Sequence, residues 1–549
     1  MSRLIFIAIL FGAWMSFAGS AIAQQPHAVK ISNSARFAAT AKGPGPAGTD
    51  VLTYKNDVAR TGQHLTESIL TPANVRSATF GLLQTLPTDG KVDAQPLYLS
   101  QLAIGTSVHN VVYAATEHDS VYAFDADNGA ILWQVSALLQ GETPSDARGC
   151  TQVSPEIGIT ATPVIDRATG SHGVLYIVAM SRDSSSNYHQ RLHALDVTSG
   201  AELPGSPQEI SATYPIAGGL TTTFDSGQYA ERAALLAVNG VIYTSWTSHC
   251  DHPPYTGWII AYDETTLAQK TVLNVAPNSG GHGPAIWMAG GGPAADRAGN
   301  IYLLTANGVF EPALDANGFP NKQDYGNSFL KLSTTNQTLK VVDYFSTWNE
   351  VSESAQDQDL GSGGVMLLPA LIDASNTIRH LAVGAGKDGN IYIVNRNRMG
   401  KFHNSTNHIW QELNGAVSGG VWATPAYFNN TVYYGDSGGT LKAFSVTSAK
   451  LSSSPTSQTS IQFTYPGASP AVSANDASNG IVWALENTNP AVLHAYDATN
   501  LASELYNSNQ AASGRDHFGA GNKFIAPAIA DGKVFLGTTN SVAVFGLLD

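Results

Sequence analysis

The stretch Asn110-Val-Val-Tyr113-Ala-Ala-Thr-Glu117-His118-Asp119-Ser-Val-Tyr-Ala123-Phe-Asp125-Ala-Asp-Asn128-Gly129-Ala-Ile-Leu-Trp133 decides how the rest of the chain is read. It holds a short β-rich run centred on an aromatic, a polar gap, and a second short run ending in small residue, aromatic and Asp. Asn-Gly follows, a pair that tolerates the positive φ of a tight turn. Apolar runs this short, divided by turn signals, read as antiparallel strands rather than helix. The first run returns as Val174-Leu-Tyr176, Val241-Ile-Tyr243, Ile301-Tyr302, Ile391-Tyr392, Val432-Tyr433, Ile481-Val-Trp483 and Val534-Phe535. The second returns as Ala194-Leu-Asp196, Ala261-Tyr-Asp263 and Ala495-Tyr-Asp497, and more weakly as Ala443-Phe-Ser445. A further element precedes most units and usually carries a proline: Pro96, Pro163, Pro293, Pro369, Pro425, Pro470 and Pro527, with Ala233-Ala-Leu-Leu236 in the third unit.

Eight such units with no linker between them argue for one closed repeat architecture. The expectation is an all-β, eight-bladed β-propeller of four-stranded antiparallel blades spanning residues 51–549. A row of β-sandwich domains would need linkers. The widest interval between unit aromatics, from Tyr302 to Tyr392, is predicted to hold the longest excursion. A strand between residues 50 and 98 is predicted to close the ring against the last blade, around Val534 to Leu547.

Composition narrows the function. Lys and Arg number 28 against 42 Asp and Glu, a net charge of −14, which argues against a nucleic-acid partner. Hydrophobic residues make up 43% of the 549, enough for a sizeable core. Arg3, the apolar run Leu4 to Phe17 and the small-x-small site Ala21-Ile22-Ala23 read as a signal peptide over residues 1–23. Export to the periplasm or the extracellular space follows. Residues 24–50, rich in Ala, Gly, Pro and Ser, read as a flexible lead-in. No later stretch is long and apolar enough to span a bilayer. Two cysteines are too few for a disulfide scaffold, and Cys150 and Cys250 stand free or paired; the sequence does not decide which.

Ala123-Phe-Asp125 through Asn128-Gly129 to Trp133 resembles the tryptophan-docking motif of quinoprotein propellers, in which the Trp packs between neighbouring blades. The chain is most similar to secreted proteins with pyrroloquinoline quinone (PQQ)-like repeats, and more distantly to the quinoprotein alcohol dehydrogenases. That resemblance implies PQQ and Ca²⁺ as cofactors, an alcohol or sugar as substrate and an external electron acceptor, since no Cys-x-x-Cys-His haem motif occurs.

Carried over residue by residue, Trp287 matches the floor on which the quinone stacks, and Asn307 matches a calcium-binding Asn. Asp359, before Val365-Met-Leu-Leu-Pro369, stands where the family's catalytic base stands and doubles as a metal ligand. Lys387, in Gly386-Lys387-Asp-Gly389, matches the residue that contacts the quinone. The family's calcium-binding Glu has no counterpart, and Asp251 is the nearby carboxylate offered in its place. The adjacent-cysteine pair over the quinone is also missing. Glu117, His118, Asp119 and Glu156 are expected around the channel mouth, with Glu156 as a further cofactor contact. Ser248-His249-Cys250-Asp251-His252, with His282 or His118, offers a transition-metal reading. A rival from another class is a non-catalytic propeller that binds protein or glycan through its loops.

Overall fold

The computed structural model describes residues 49–548. The expected signal peptide and nearly all of the expected lead-in lie outside the described residues. Eight antiparallel blades succeed one another in chain order, over residues 97–136, 164–209, 236–274, 294–346, 366–413, 426–458, 471–507 and 528–547. The innermost strands of neighbouring blades touch: those of blades 2 and 3, 4 and 5, 6 and 7, 7 and 8, and 8 and 1. The eighth blade takes its outermost strand from the other end of the chain. Phe80–Pro87 pairs antiparallel with Ser541–Leu547, closing the ring as predicted. Phe80 seals that joint against Trp483, Tyr506 and Phe545.

Six innermost strands begin directly after a proline, at Leu97, Val164, Ala294, Ala426, Ala471 and Ala528. Proline has no N–H to lose at a strand's first position. In the sheets, alternate side chains pack on the two neighbouring blades, so the central strands are buried on both faces. Trp133 does dock between blades. Its indole Nε1 donates to the Val197 carbonyl of blade 2 at 3.1 Å. Its ring lies over Gly200, where a Cβ would come within 2.7 Å of it.

The fifth unit differs from its sequence reading. Ile391-Tyr392 belongs to the third strand, Ile391–Asn395, and the second is Leu381–Ala385, which has no aromatic. The first strand, Met366–Leu367, precedes Pro369 rather than following it. The long interval before it holds the 305–327 loop and the one α-helix of the described residues, Glu350–Ala355.

A feature no motif announces fills the hub. Residues 51–67 cross the axis and bond to every blade in turn. Val51 exchanges backbone hydrogen bonds with Tyr98, and the carbonyls of Leu52, Val58, Ala59, Thr61 and Gly62 accept from Ile165, Ala295, Leu367, Tyr427 and Val472. Arg60, fully buried, donates to the carbonyls of Pro293 and Leu235. Glu67 accepts from the Gly532 N–H of blade 8. Buried charges survive only where such partners surround them.

Candidate active site

The loops that lead from one blade to the next, and from second to third strands, meet around a cavity of about 250 Å³. This is slightly below the roughly 300–1,000 Å³ common for small-molecule sites. Trp287, Asp251, Asp359 and Lys387 all line it, together with both cysteines. Trp287 lies on the connection from blade 3 to blade 4 and donates its indole Nε1 to Asp251 Oδ1 at 3.2 Å. Cys150 and Cys250 form a disulfide across 100 residues of sequence, with Cα atoms 5.6 Å apart. It ties the connection before blade 2 to the Ser248–His252 loop of blade 3, in which Cys250 and Asp251 both hold positive φ, 50° and 54°.

On the opposite side a compact polar network forms. The Asn307 backbone N–H donates to Asp359 Oδ1 at 2.6 Å and its Nδ2 to Asp357 Oδ1 at 3.0 Å. The Lys387 ammonium bridges Asp359 at 2.5 Å and Asp357 at 2.9 Å. Burial pushes the Asp359 carboxyl above the ordinary carboxylate range, against the pull of Lys387. Lys387 loses solvation too, yet the adjacent Asp359 keeps its ammonium above the usual value.

Two lining residues escaped the sequence reading. Glu231 accepts from the Ser245 N–H at 3.1 Å with one oxygen, while its Oε2 is buried with no partner. Burial holds this carboxyl well above its usual value. Arg232, 5% exposed, lies over the Phe524 ring at 4.9 Å. The signal available was a charged pair inside the apolar run Tyr229-Ala-Glu-Arg-Ala-Ala-Leu-Leu236. Trp422 and Tyr465 complete an aromatic wall.

Other expected residues fall elsewhere. Glu156 does not line the cavity; it turns to His118, whose Nδ1 stands 3.0 Å from its carboxylate. Glu117 is buried and accepts from the Gly158 N–H and the Thr160 hydroxyl, each at 2.9 Å. His249 is bonded to the Tyr229 carbonyl at 3.2 Å, and burial lowers its pKa to about 4. The transition-metal reading fails on this, since no three His, Cys, Asp or Glu side chains gather into a metal site among the described residues.

Calcium meets the same obstacle. Asn307 turns its Nδ2, not its oxygen, toward the carboxylates. Asp359 is engaged by Lys387 and the Asn307 backbone, and Asp251 by Trp287. The oxygens a calcium ion would need are therefore not free to converge, and an ammonium stands against Asp359. A flat polyanion such as PQQ does suit the cavity, which combines aromatic walls with the cations Lys387 and Arg232.

No family model and no curated protein matches the chain. Solved structures do. The quinohemoprotein alcohol dehydrogenase of Comamonas testosteroni aligns over 91% of this chain and 80% of its own, with a TM-score of 0.58 and 14% identity. The corresponding enzyme ADHIIG of Pseudomonas putida HK5 aligns over the same shares at 0.56 and 13%. A europium-containing methanol dehydrogenase aligns over 91% of this chain and 98% of its own, at 0.55 and 13%. The fold is that of the quinoprotein alcohol dehydrogenases. In this quinoprotein-like propeller the disulfide at the cavity joins two distant loops, Asp359 stands on the connection from blade 4 to blade 5, and Lys387 stands on the hairpin between the second and third strands of blade 5. At such low identity the likeness concerns the fold alone.

Proposed function

We propose that the chain is an exported oxidoreductase of the PQQ type that oxidises an alcohol or sugar in the periplasm or outside the cell. The observation that carries this reading is the convergence of Trp287, Asp359 and Lys387 on one cavity of a quinoprotein-like fold. The disulfide suits an oxidising compartment. Among the described residues no helix is long and apolar enough to cross a membrane.

In this reading Trp287 is the stacking floor and Lys387 holds the quinone oxygens by charge-assisted hydrogen bonds. Bound PQQ supplies a two-electron acceptor. Asp359 takes the proton of the substrate hydroxyl, a role that its raised affinity for protons favours. The Lys387 ammonium, ion-paired with Asp359, holds that carboxylate in place and charged until it accepts the proton. The cation at Asp359 is the ammonium, so no step passes through calcium. Reoxidation falls to an external acceptor.

Calorimetric titration of PQQ into the mature protein, with Ca²⁺ and with chelator, tests the reading. Micromolar binding that Lys387→Met weakens at least tenfold, followed by dye reduction with an alcohol that Asp359→Ala abolishes, is the expected result. Absence of heat at protein concentrations far above micromolar overturns it and leaves the rival, a propeller binding protein or glycan through its loops. The lock of Lys387 on Asp359 is the observation that favours this rival.

A further inference from the structure

In a chain of net charge −14, Arg232 in the cavity wall and Lys523, next to the lining residue Phe524, lack a counter-ion. Arg232, 5% exposed, reaches only the Lys523 carbonyl at 3.5 Å and the face of Phe524. Lys523, at the rim, reaches Gln152 Oε1 at 3.1 Å and the face of Tyr465 at 5.6 Å. No carboxylate pairs with either among the described residues. Glu231 beside Arg232 spends one oxygen on the Ser245 N–H, and Asp93 near Lys523 is 3.7 Å from Lys91. Burial, with Lys91 and Arg232 close by, depresses the Lys523 pKa. A buried charge without a partner is costly, and two of like sign side by side are costlier still. The rings around them form a continuous edge: Trp422 to Tyr465 at 5.4 Å and Tyr465 to Phe524 at 6.5 Å. Tyr465 is 42% exposed, so this edge opens to solvent.

We infer that Arg232 and Lys523, with the Trp422–Tyr465–Phe524 edge, form a subsite for a carboxylate carried on an aromatic ring, and that the substrate belongs to the ring-bearing carboxylated alcohols rather than to the neutral sugars. As a substrate class this rests on the oxidoreductase reading; as a binding subsite it does not. The same chemistry is offered by PQQ itself, an aromatic carboxylate, and the test separates the two sources.

The mature protein, without cofactor, is titrated with 4-(hydroxymethyl)benzoate and with its neutral twin, benzyl alcohol, following tryptophan fluorescence; PQQ is titrated in parallel. The benzoate is expected to bind at least tenfold more tightly than the alcohol, with the preference abolished in Arg232→Met and reduced several-fold in Lys523→Gln. Lys523 lies at the partly exposed rim, so its replacement keeps the fold if the buried arginine's does not. Equal binding of the two probes, or a preference indifferent to both substitutions, overturns the subsite. A protein that takes the benzoate and refuses PQQ upholds the subsite and overturns the oxidoreductase reading. PQQ binding that needs Arg232 and is not accompanied by benzoate binding assigns the cations to the cofactor and overturns the substrate class.

Discussion

Asp359 lies on the connection into blade 5 and Lys387 on the hairpin between that blade's second and third strands, and each fixes the other's charge. Replacing Lys387 by Met strands a buried carboxylate whose remaining donor is the Asn307 N–H. Such breaks cost roughly 3–5 kcal/mol in buried pairs, less here because the Lys387 side chain is 20% exposed. Asp359→Asn with Lys387→Met should recover part of that loss, which a double-mutant cycle by denaturant unfolding would read. Carboxyls that folding protonates give a second prediction. Burial pushes Glu117 up to about 8, with Asp93 adding to it, and Glu350 up to about 8, both from an ordinary 4.5. The folded chain then binds more protons than the unfolded one across that interval. Their contribution is complete below about pH 4.5 and is lost as pH rises toward 8. Melting temperature should fall from pH 5 to pH 8, and Glu117→Gln should flatten the fall; an unchanged slope would contradict the buried, protonated state.

Among the elements, outer strands and connecting loops carry the specific contacts. Trp133→Ala removes an inter-blade indole that bonds Val197 and covers Gly200. A loss of roughly 2–3 kcal/mol is expected, below the 3–5 of a fully buried Trp, measurable as a lower urea midpoint. Cys150→Ser opens a loop of 100 residues. The chain-entropy model puts that near 4–5 kcal/mol, and hydrogen exchange should rise first in residues 248–252. The sequence-derived strand plan is correct where a second strand carries its aromatic and slips where it does not. In blade 5 that strand is Leu-Ala-Val-Gly384-Ala, and a Cβ at Gly384 would stand 3.0 Å from Leu304. Close packing against blade 4 removed the marker by which the unit was to be recognised. The site was legible to the same degree. Trp287, Asp359 and Lys387 follow a motif order, whereas Glu231 and Arg232 sit on a connection with no repeat to predict their direction. Glu156 was misjudged because strand position alone does not say which way a loop carboxylate turns.

For the molecule as a whole, eight repeats were readable because each repeats a side-chain pattern. The hub was not, since residues 51–67 bind mainly through backbone carbonyls that any sequence supplies. Arg60 is the exception, and Arg60→Met should release the carbonyls of Pro293 and Leu235 and lower the melting temperature by several degrees without altering the outer strands.

Closure by Phe80–Pro87 against Ser541–Leu547 also sets an order of events in time. The closing strand is made before any blade, and its partner last. Until synthesis reaches the final strand, Phe80–Pro87 has no neighbour in its sheet, and the pairing that completes the ring of blades joins residues more than 400 apart in sequence. Contacts this distant are slow to form and leave strand edges open meanwhile. The chain therefore has to be kept from folding, or from aggregating, until its C-terminus is available, a demand that transport across a membrane before folding would meet.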